Sequence, residues 1–274
     1  MNEYIIYTCL LITGYFGTLT IIPLFKNLLI DSNIVRPNYK NDMIPVSMGI
    51  VLLPMIIING ILLAYFTKDL NNLIHLFVFI LGLLSMFLAG IMDDIIGNRN
   101  VSGLKGHFKS LLKGTLTTGG FKALFGGFIG ILISLSISKD IPNIVINTLI
   151  IALSTNLMNL LDLRPGRAIK GYLAIMITMF ITLTGYTKLL PLLILPNVLA
   201  YFKFDLKAKA MMGDTGSNVL GISIGILMVF GYSFNLRVCW LIFLVLIHLI
   251  TEKYSLTKII ENNKLLNSID KLGR

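Results

Sequence analysis

Polar residues punctuate long apolar runs in this chain. Reading the runs between charged breaks gives nine candidate helices, at 4–25, 46–66, 73–92, 121–137, 143–161, 168–186, 188–203, 217–233 and 236–251. Runs of about 20 apolar residues match the thickness of a bilayer's hydrocarbon layer. Backbone in lipid must satisfy its hydrogen bonds within its own segment, so the pattern predicts an all-α, polytopic integral membrane protein of about nine transmembrane helices. The stretch 168–203 admits a different division around Gly185 and Lys188. Beyond residue 251 the pattern changes. Leu256, Ile259, Ile260, Leu266 and Ile269 recur at helical spacing among charges, which predicts an amphipathic helix on the membrane surface. The organisation read from the pattern is a transmembrane domain, 1–251, followed by a cytoplasmic amphipathic tail, 252–274.

Composition agrees: 55% of residues are hydrophobic and 13% charged, with a mean hydropathy of +0.85. The formal charge of +10 raises nucleic acid as a partner, but in a membrane protein it signals cationic cytoplasmic loops beside anionic lipid, and no nucleic-acid partner is expected. Cys9 and Cys239 stand alone inside apolar runs and read as buried packing residues. The first run starts at Tyr4 with no cationic leader, so it reads as a retained span. With the N-terminus outside, all but Lys68, Lys139, Lys188 and Arg237 of the 23 Lys and Arg residues fall in inner segments or the tail. That asymmetry predicts an N-out, C-in topology. The abundance of Ile, Asn and Lys suggests an AT-rich bacterial source, hence a bacterial plasma membrane.

The same topology gathers polar groups on the inner side. Asp93 and Asp94 end the third run in "AGIMDDIIG". Acids at a helix C-terminus oppose the helix dipole, so something must offset them, and a divalent cation with phosphate would do so. Asp214 lies between two glycines in "MMGDTGSN", where Thr215 and Ser217 can cap the following helix and its N-terminus suits anions. In "NLMNLLDLRPGRAIK", Asn156, Asn159 and Asp162 share an arc of about 120° on one helix face. Arg164 and Arg167 follow, with guanidinium forks suited to phosphate. Taken singly, each group has a bland reading as a solvated helix end, a capped turn or a lipid-headgroup contact. Together they point to a polar cleft facing the cytoplasm. Oxygen-rich sites of this kind suit Mg²⁺, which keeps waters and binds one or two carboxylates plus substrate phosphate; Mn²⁺ is the alternative ion. Lys105, Lys109 and Lys113 form a cationic stripe with His107 among them. A transporter or channel would place its acids near the bilayer midplane, with repeats, whereas here they collect at one face.

These motifs resemble those of the polyprenyl-phosphate N-acetylhexosamine-1-phosphate transferases, membrane enzymes that include the bacterial translocase making lipid I. The likeness runs in order through "RPNYKNDMIPVSMG", similar to the family's first cytoplasmic loop, then "MDDIIG", "NLMNLLD" and "MGDTGS". It implies Mg²⁺-dependent transfer of a sugar 1-phosphate from a UDP-sugar to undecaprenyl phosphate, releasing UMP, for cell-wall or surface glycan synthesis. By the same resemblance, Asp93, Asp94 and Asp214 are catalytic and metal-binding. Asn156, Asn159, Asp162, Arg164, Arg167, Lys105, His107 and Lys109 bind substrate, and a homodimer is one expected state. The chain departs from the family in three places. Pro165 stands where "DLRPGRA" should carry a second Asp, the tail lacks the lipid I translocases' histidine cluster, and nine spans are fewer than usual. A catalytically altered member that binds lipid phosphate or nucleotide sugar is the alternative reading.

Overall fold

The computed structural model describes residues 3–97 and 103–274; the side chains of residues 3, 103–105, 107 and 108 are outside this description. The helices are α1 (Glu3–Asp31), α2 (Leu52–Phe66), α3 (Leu70–Ile96), α4 (Gly103–Leu112), α5 (Thr118–Ile137), α6 (Ile141–Leu161), α7 (Arg167–Thr182), α8 (Leu195–Leu206), α9 (Gly213–Gly231), α10 (Phe234–Lys253), α11 (Leu256–Asn262) and α12 (Lys264–Lys271). Among the described residues, eight helical stretches are long and apolar enough to cross a membrane. They coincide with eight of the nine expected runs, and the protein is an all-α polytopic membrane protein.

The remaining run, 168–186, forms α7, whose 16 residues reach about 24 Å, less than the ~30 Å of a full hydrocarbon layer. It still traverses the bundle. Arg167 is buried at the end that carries the acids, while at the other end the Thr182 and Tyr232 hydroxyls share a hydrogen bond of 2.5 Å. The following span, Gly185–Leu206, is built in pieces: 3-10 turns at Gly185–Lys188 and Leu190–Leu193 precede α8. Pro191 and Pro196 fall in the first turns of their helical pieces, where a missing N–H is tolerated but an incoming helix cannot continue.

Helix α9 is the axis of the fold. Leu220, Ile222, Ile224, Ile226 and Leu227 are wholly buried, and the helix packs between α3 and α6. Gly221 and Gly225 lie one turn apart on its α6 face. A Cβ on Gly221 would overlap the backbone of Thr155, and one on Gly225 the Cα of Ile151. Small residues at this spacing let two membrane helices approach backbone to backbone, where dispersion and weak polar contacts accumulate. By contrast, α10 buries only Leu244 and turns most of its apolar surface outward. Cys239 on α10 is exposed and Cys9 on α1 is half-buried, where both were expected to be buried.

Two regions differ from the expected pattern. The first loop at the acid-bearing end contains an antiparallel hairpin, β1 (Val35–Pro37) with β2 (Met43–Pro45), in register Arg36↔Ile44. The Asn38 side chain shapes its turn by accepting from the Lys40 and Asp42 N–H groups (2.7 and 3.0 Å). The hairpin's exit then pairs with the segment before α9: Met211 N–H donates to Pro45 O (2.8 Å), Met48 N–H to Met211 O (3.0 Å) and Gly49 N–H to Met212 O (2.9 Å). The tail is the second difference. In place of one amphipathic helix it forms α11 and α12, broken at Asn263, whose side chain accepts from the Leu265 and Leu266 N–H groups and so starts a new helix. The tail folds back onto the bundle end.

Candidate active site

A cavity of about 920 Å³ opens at the acid-bearing end, among α3, α5, α6, α9, α10 and the hairpin. Asp93, Asp94, Asn156, Asn159, Asp162, Arg164 and Asp214 all line it. Three separate stretches of sequence therefore converge on one space. Along one wall the lining becomes apolar, through Met86, Ala123, Gly126, Ala152 and Leu153.

The adjacent acids divide their work. The Asp94 carboxylate accepts from Asp214 N–H (3.0 Å), Thr215 N–H (3.0 Å) and Thr215 Oγ1 (2.6 Å). It therefore caps α9 from across the bundle, its charge set against the positive end of that helix dipole. Gly213 makes this possible: its φ is +73°, and a Cβ there would run into the Asp94 carboxylate. The expectation that Thr215 and Ser217 cap α9 is corrected. Thr215 donates to Asp94, while Ser217 Oγ lies one turn inside and donates to Asn159 Oδ1 (2.5 Å) and Gly213 O (3.1 Å).

Asp93 faces Lys122 instead, at 3.0 Å from Nζ, and the same ammonium pairs with Asp214. Lys122 is a cavity-lining residue that the apolar pattern conceals, being absorbed into the run 121–137. Its signal was a lone lysine just inside a span in "TGGFKALFGG", an ionisable group that has to face a partner or a cavity. The acids' opposition to the α3 dipole is thus offset twice, by Lys122 for Asp93 and by the α9 N-terminus for Asp94.

Among the described residues no group of three or more metal-ligating side chains occurs. Asp93 and Asp214 nevertheless present two carboxylates to one space, which fits a Mg²⁺ ion that keeps waters and takes further oxygens from phosphate. Asp94 does not fit that role as well, because its oxygens are engaged by α9.

The α6 polar face continues the lining. Asn159 Nδ2 donates to Asn218 Oδ1 (2.7 Å), and Asn218 Nδ2 is buried with no partner among the described residues. Asp162 ends α6, and its carboxylate has no hydrogen bond or ion pair among the described residues. Burial, reinforced by the nearby Asp205, Asp214 and Asp94 carboxylates, pushes its pKa well above the ordinary value. Asp205, itself 4% exposed, accepts from Gly166 N–H (2.7 Å). In "KFDLK" it reads as surface charge, so sequence reasoning missed it. Arg36 also enters the lining, donating to the Asp94 backbone carbonyl (2.9 Å). From α10, His248 lines the cavity with Nδ1 on Leu244 O (2.7 Å) and Nε2 buried without a partner among the described residues.

The two arginines of "LRPGR" separate. Arg164 lines the cavity and is 3.6 Å from Glu261. Arg167 does not join it, contrary to expectation. Its guanidinium forks onto the Asp270 carboxylate (2.8 and 2.9 Å) and donates to Thr257 Oγ1 (2.9 Å), leaving it 5% exposed. Lys109 is exposed on α4, outside the cavity lining. The side chains of Lys105 and His107 lie outside the described residues.

Residues 76–232 match the family described as glycosyl transferase family 4. Over 163 residues the chain is 30% identical to a phospho-N-acetylmuramoyl-pentapeptide-transferase from Thermotoga neapolitana, covering 56% of this chain and 52% of that relative. The chain thus spans about half the length of the curated relative it matches. The family match begins inside α3 and ends just past α9, and so takes in the Asp93–Asp94 pair, Lys122, the α6 polar face and Asp214.

Proposed function

This chain belongs to glycosyl transferase family 4, and we propose that it transfers a sugar 1-phosphate, an N-acetylhexosamine being the expected sugar, from a UDP-sugar to undecaprenyl phosphate and releases UMP. The observation that carries this reading is the Asp93–Lys122–Asp214 cluster at the polar end of a cavity whose wall turns apolar. A charged head and an apolar wall suit a phosphate on an isoprenoid chain. In this reading the acid-bearing end faces the cytoplasm of a bacterial cell, an orientation that the Lys and Arg distribution supports.

The acceptor phosphate has a second pKa of ~6 by analogy with phosphorylated side chains, so it is largely dianionic near neutral pH. One of its oxygens attacks the β-phosphorus of the donor, the bond from that phosphorus to the bridging oxygen breaks, and UMP leaves with the bridging oxygen. The task is to bring anions together in line, which is a matter of charge neutralisation and positioning. Lys122 supplies a fixed positive charge at the reacting end. Asp93 and Asp214 hold that ammonium in place and would hold Mg²⁺, which would supply further neutralisation of phosphate charge. Asp94 fixes the α9 terminus and with it the position of Asp214. Asn159, Asn218 and Asp162 offer both donors and acceptors to the donor's sugar or nucleoside, and Arg164 stands at the mouth for phosphate. Pro165 replaces an acid at the place the family resemblance associates with the nucleoside, so selectivity for the base is expected to be relaxed. The test is incubation of purified protein with undecaprenyl phosphate, Mg²⁺ and a panel of nucleotide sugars, with lipid products read by mass spectrometry. A diphospho-linked sugar lipid supports the reading, and its absence with every donor overturns it.

A further inference from the structure

The tail is attached to the bundle in an unusual way. Within α11 and α12 only Ile260 and Asp270 are buried, while Leu265, Leu266 and Ile269, and Leu272 just after α12, are exposed. Apolar packing therefore contributes little to its docking, and polar contacts dominate. Arg167 forks onto Asp270, Lys170 Nζ donates to the Ile269 and Asp270 carbonyls (2.9 and 2.8 Å), and Arg274 bridges Asp270 (2.7 Å) to the Pro165 carbonyl (2.8 Å). Lys170 also places a cation at the α12 C-terminus, where the helix dipole favours it.

The turn at 163–166, which supplies Leu163, Arg164 and Pro165 to the cavity, takes the Arg274 bond at Pro165 and faces Glu261 of the tail through Arg164, while the Arg167 and Lys170 contacts hold the start of α7 directly after it. On its other side the same turn is tied by Gly166 N–H to Asp205. Gly166 has φ +73° and abuts Leu206, so the turn has little room to shift while both ties hold. We propose that the tail acts as a latch, with Asp270 as a positioning residue that sets the cavity wall at Arg164 and Pro165 for the donor. A buried ion pair between residues so distant in sequence adds little stability over an apolar contact, because desolvation offsets much of the attraction. What it provides is a fixed geometry that breaks when either partner is lost. The tail's exposed leucines then face the inner leaflet, so the latch sits between the membrane surface and the donor pocket.

The part of this inference that concerns the donor rests on the proposed transfer reaction, so the experiment has two arms on the full-length protein in nanodiscs. Hydrogen exchange of residues 163–169 is measured for wild type, Asp270→Ala and Asp270→Glu, together with donor KM and kcat. The latch predicts faster exchange in Asp270→Ala, a donor KM raised by about tenfold with kcat less affected, and partial recovery of both in Asp270→Glu. Unchanged exchange in Asp270→Ala overturns the latch. Faster exchange with an unchanged donor KM overturns its role in donor positioning. A wild type without transfer activity overturns the proposed function, and the exchange arm still decides whether the latch exists.

Discussion

Replacing Lys122 with Met isolates the charge balance at the head of the cavity. The ammonium pairs with Asp93 and Asp214, and the three side chains are 18%, 19% and 30% exposed. Removing one partner from a fully buried pair costs about 3–5 kcal/mol because the remaining charge is stranded. Partial exposure lets water screen the two carboxylates, so about 2 kcal/mol is the expected loss here. For a chain of this size about 2–4 °C accompanies each kcal/mol, which gives a fall in apparent Tm of about 4–8 °C. Met preserves most of the side-chain volume, so the loss reports charge. The variant's two unpaired carboxylates should bind a divalent cation more readily. At Mg²⁺ about a hundredfold above the variant's dissociation constant, binding restores about 2.7 kcal/mol, while wild type, whose ammonium already neutralises the same carboxylates, binds Mg²⁺ more weakly and gains less. The assay is thermal unfolding at a fixed scan rate in EDTA and in graded MgCl₂, for both proteins. The gap between them should be wide in EDTA and close as Mg²⁺ rises. A variant as stable as wild type in EDTA, or a gap that Mg²⁺ leaves unchanged, refutes the assignment of Asp93 and Asp214 to one charge site.

Three further outcomes follow from the packing and polar contacts. Asp94→Ala removes the acceptor of three hydrogen bonds at the α9 terminus, so it should cost about 2 kcal/mol, seen as a lowered apparent Tm, with Asp94→Asn losing less. Gly225→Leu forces α9 away from the Ile151 backbone and should cost about 3 kcal/mol or more, read as loss of the monodisperse peak in size-exclusion chromatography, while Gly225→Ala is milder. Asp162 has a raised pKa, so its charged form opposes folding and that cost grows as pH rises above the ordinary value of 3.8. Asp162→Asn should therefore raise the apparent Tm more at pH 8 than at pH 5 while weakening donor binding, and a gain independent of pH contradicts the reading.

Much of the site was legible in the sequence because its residues break a strong background. An Asp-Asp pair, an Asn-Asn-Asp face and a Gly-flanked Asp stand out in apolar runs, and the Lys and Arg asymmetry assigns them to one side. Which acid does what was not legible. Asp93 and Asp94 are neighbours in sequence, but about 100° apart around α3, so one meets Lys122 and the other the α9 terminus. Lys122 was hidden because a single cation does not interrupt an apolar run. Arg167 was misread because a guanidinium suited to phosphate is equally suited to a carboxylate, and Asp270 lies in a tail whose fold depends on tertiary contact. The hairpin at 35–45 was missed because its strands are three residues each and depend on pairing with the segment before α9.

In the proposed reaction phosphate travels with the sugar. A UDP-sugar carrying radioactive label on the β-phosphorus, incubated with purified protein, Mg²⁺ and undecaprenyl phosphate and followed by butanol extraction, reports where that phosphorus goes. Transfer of a sugar 1-phosphate moves the label into the lipid phase, leaves unlabelled UMP in water, and fails with Asp214→Asn. Sugar found in the lipid phase while the label stays behind in aqueous UDP would contradict the account.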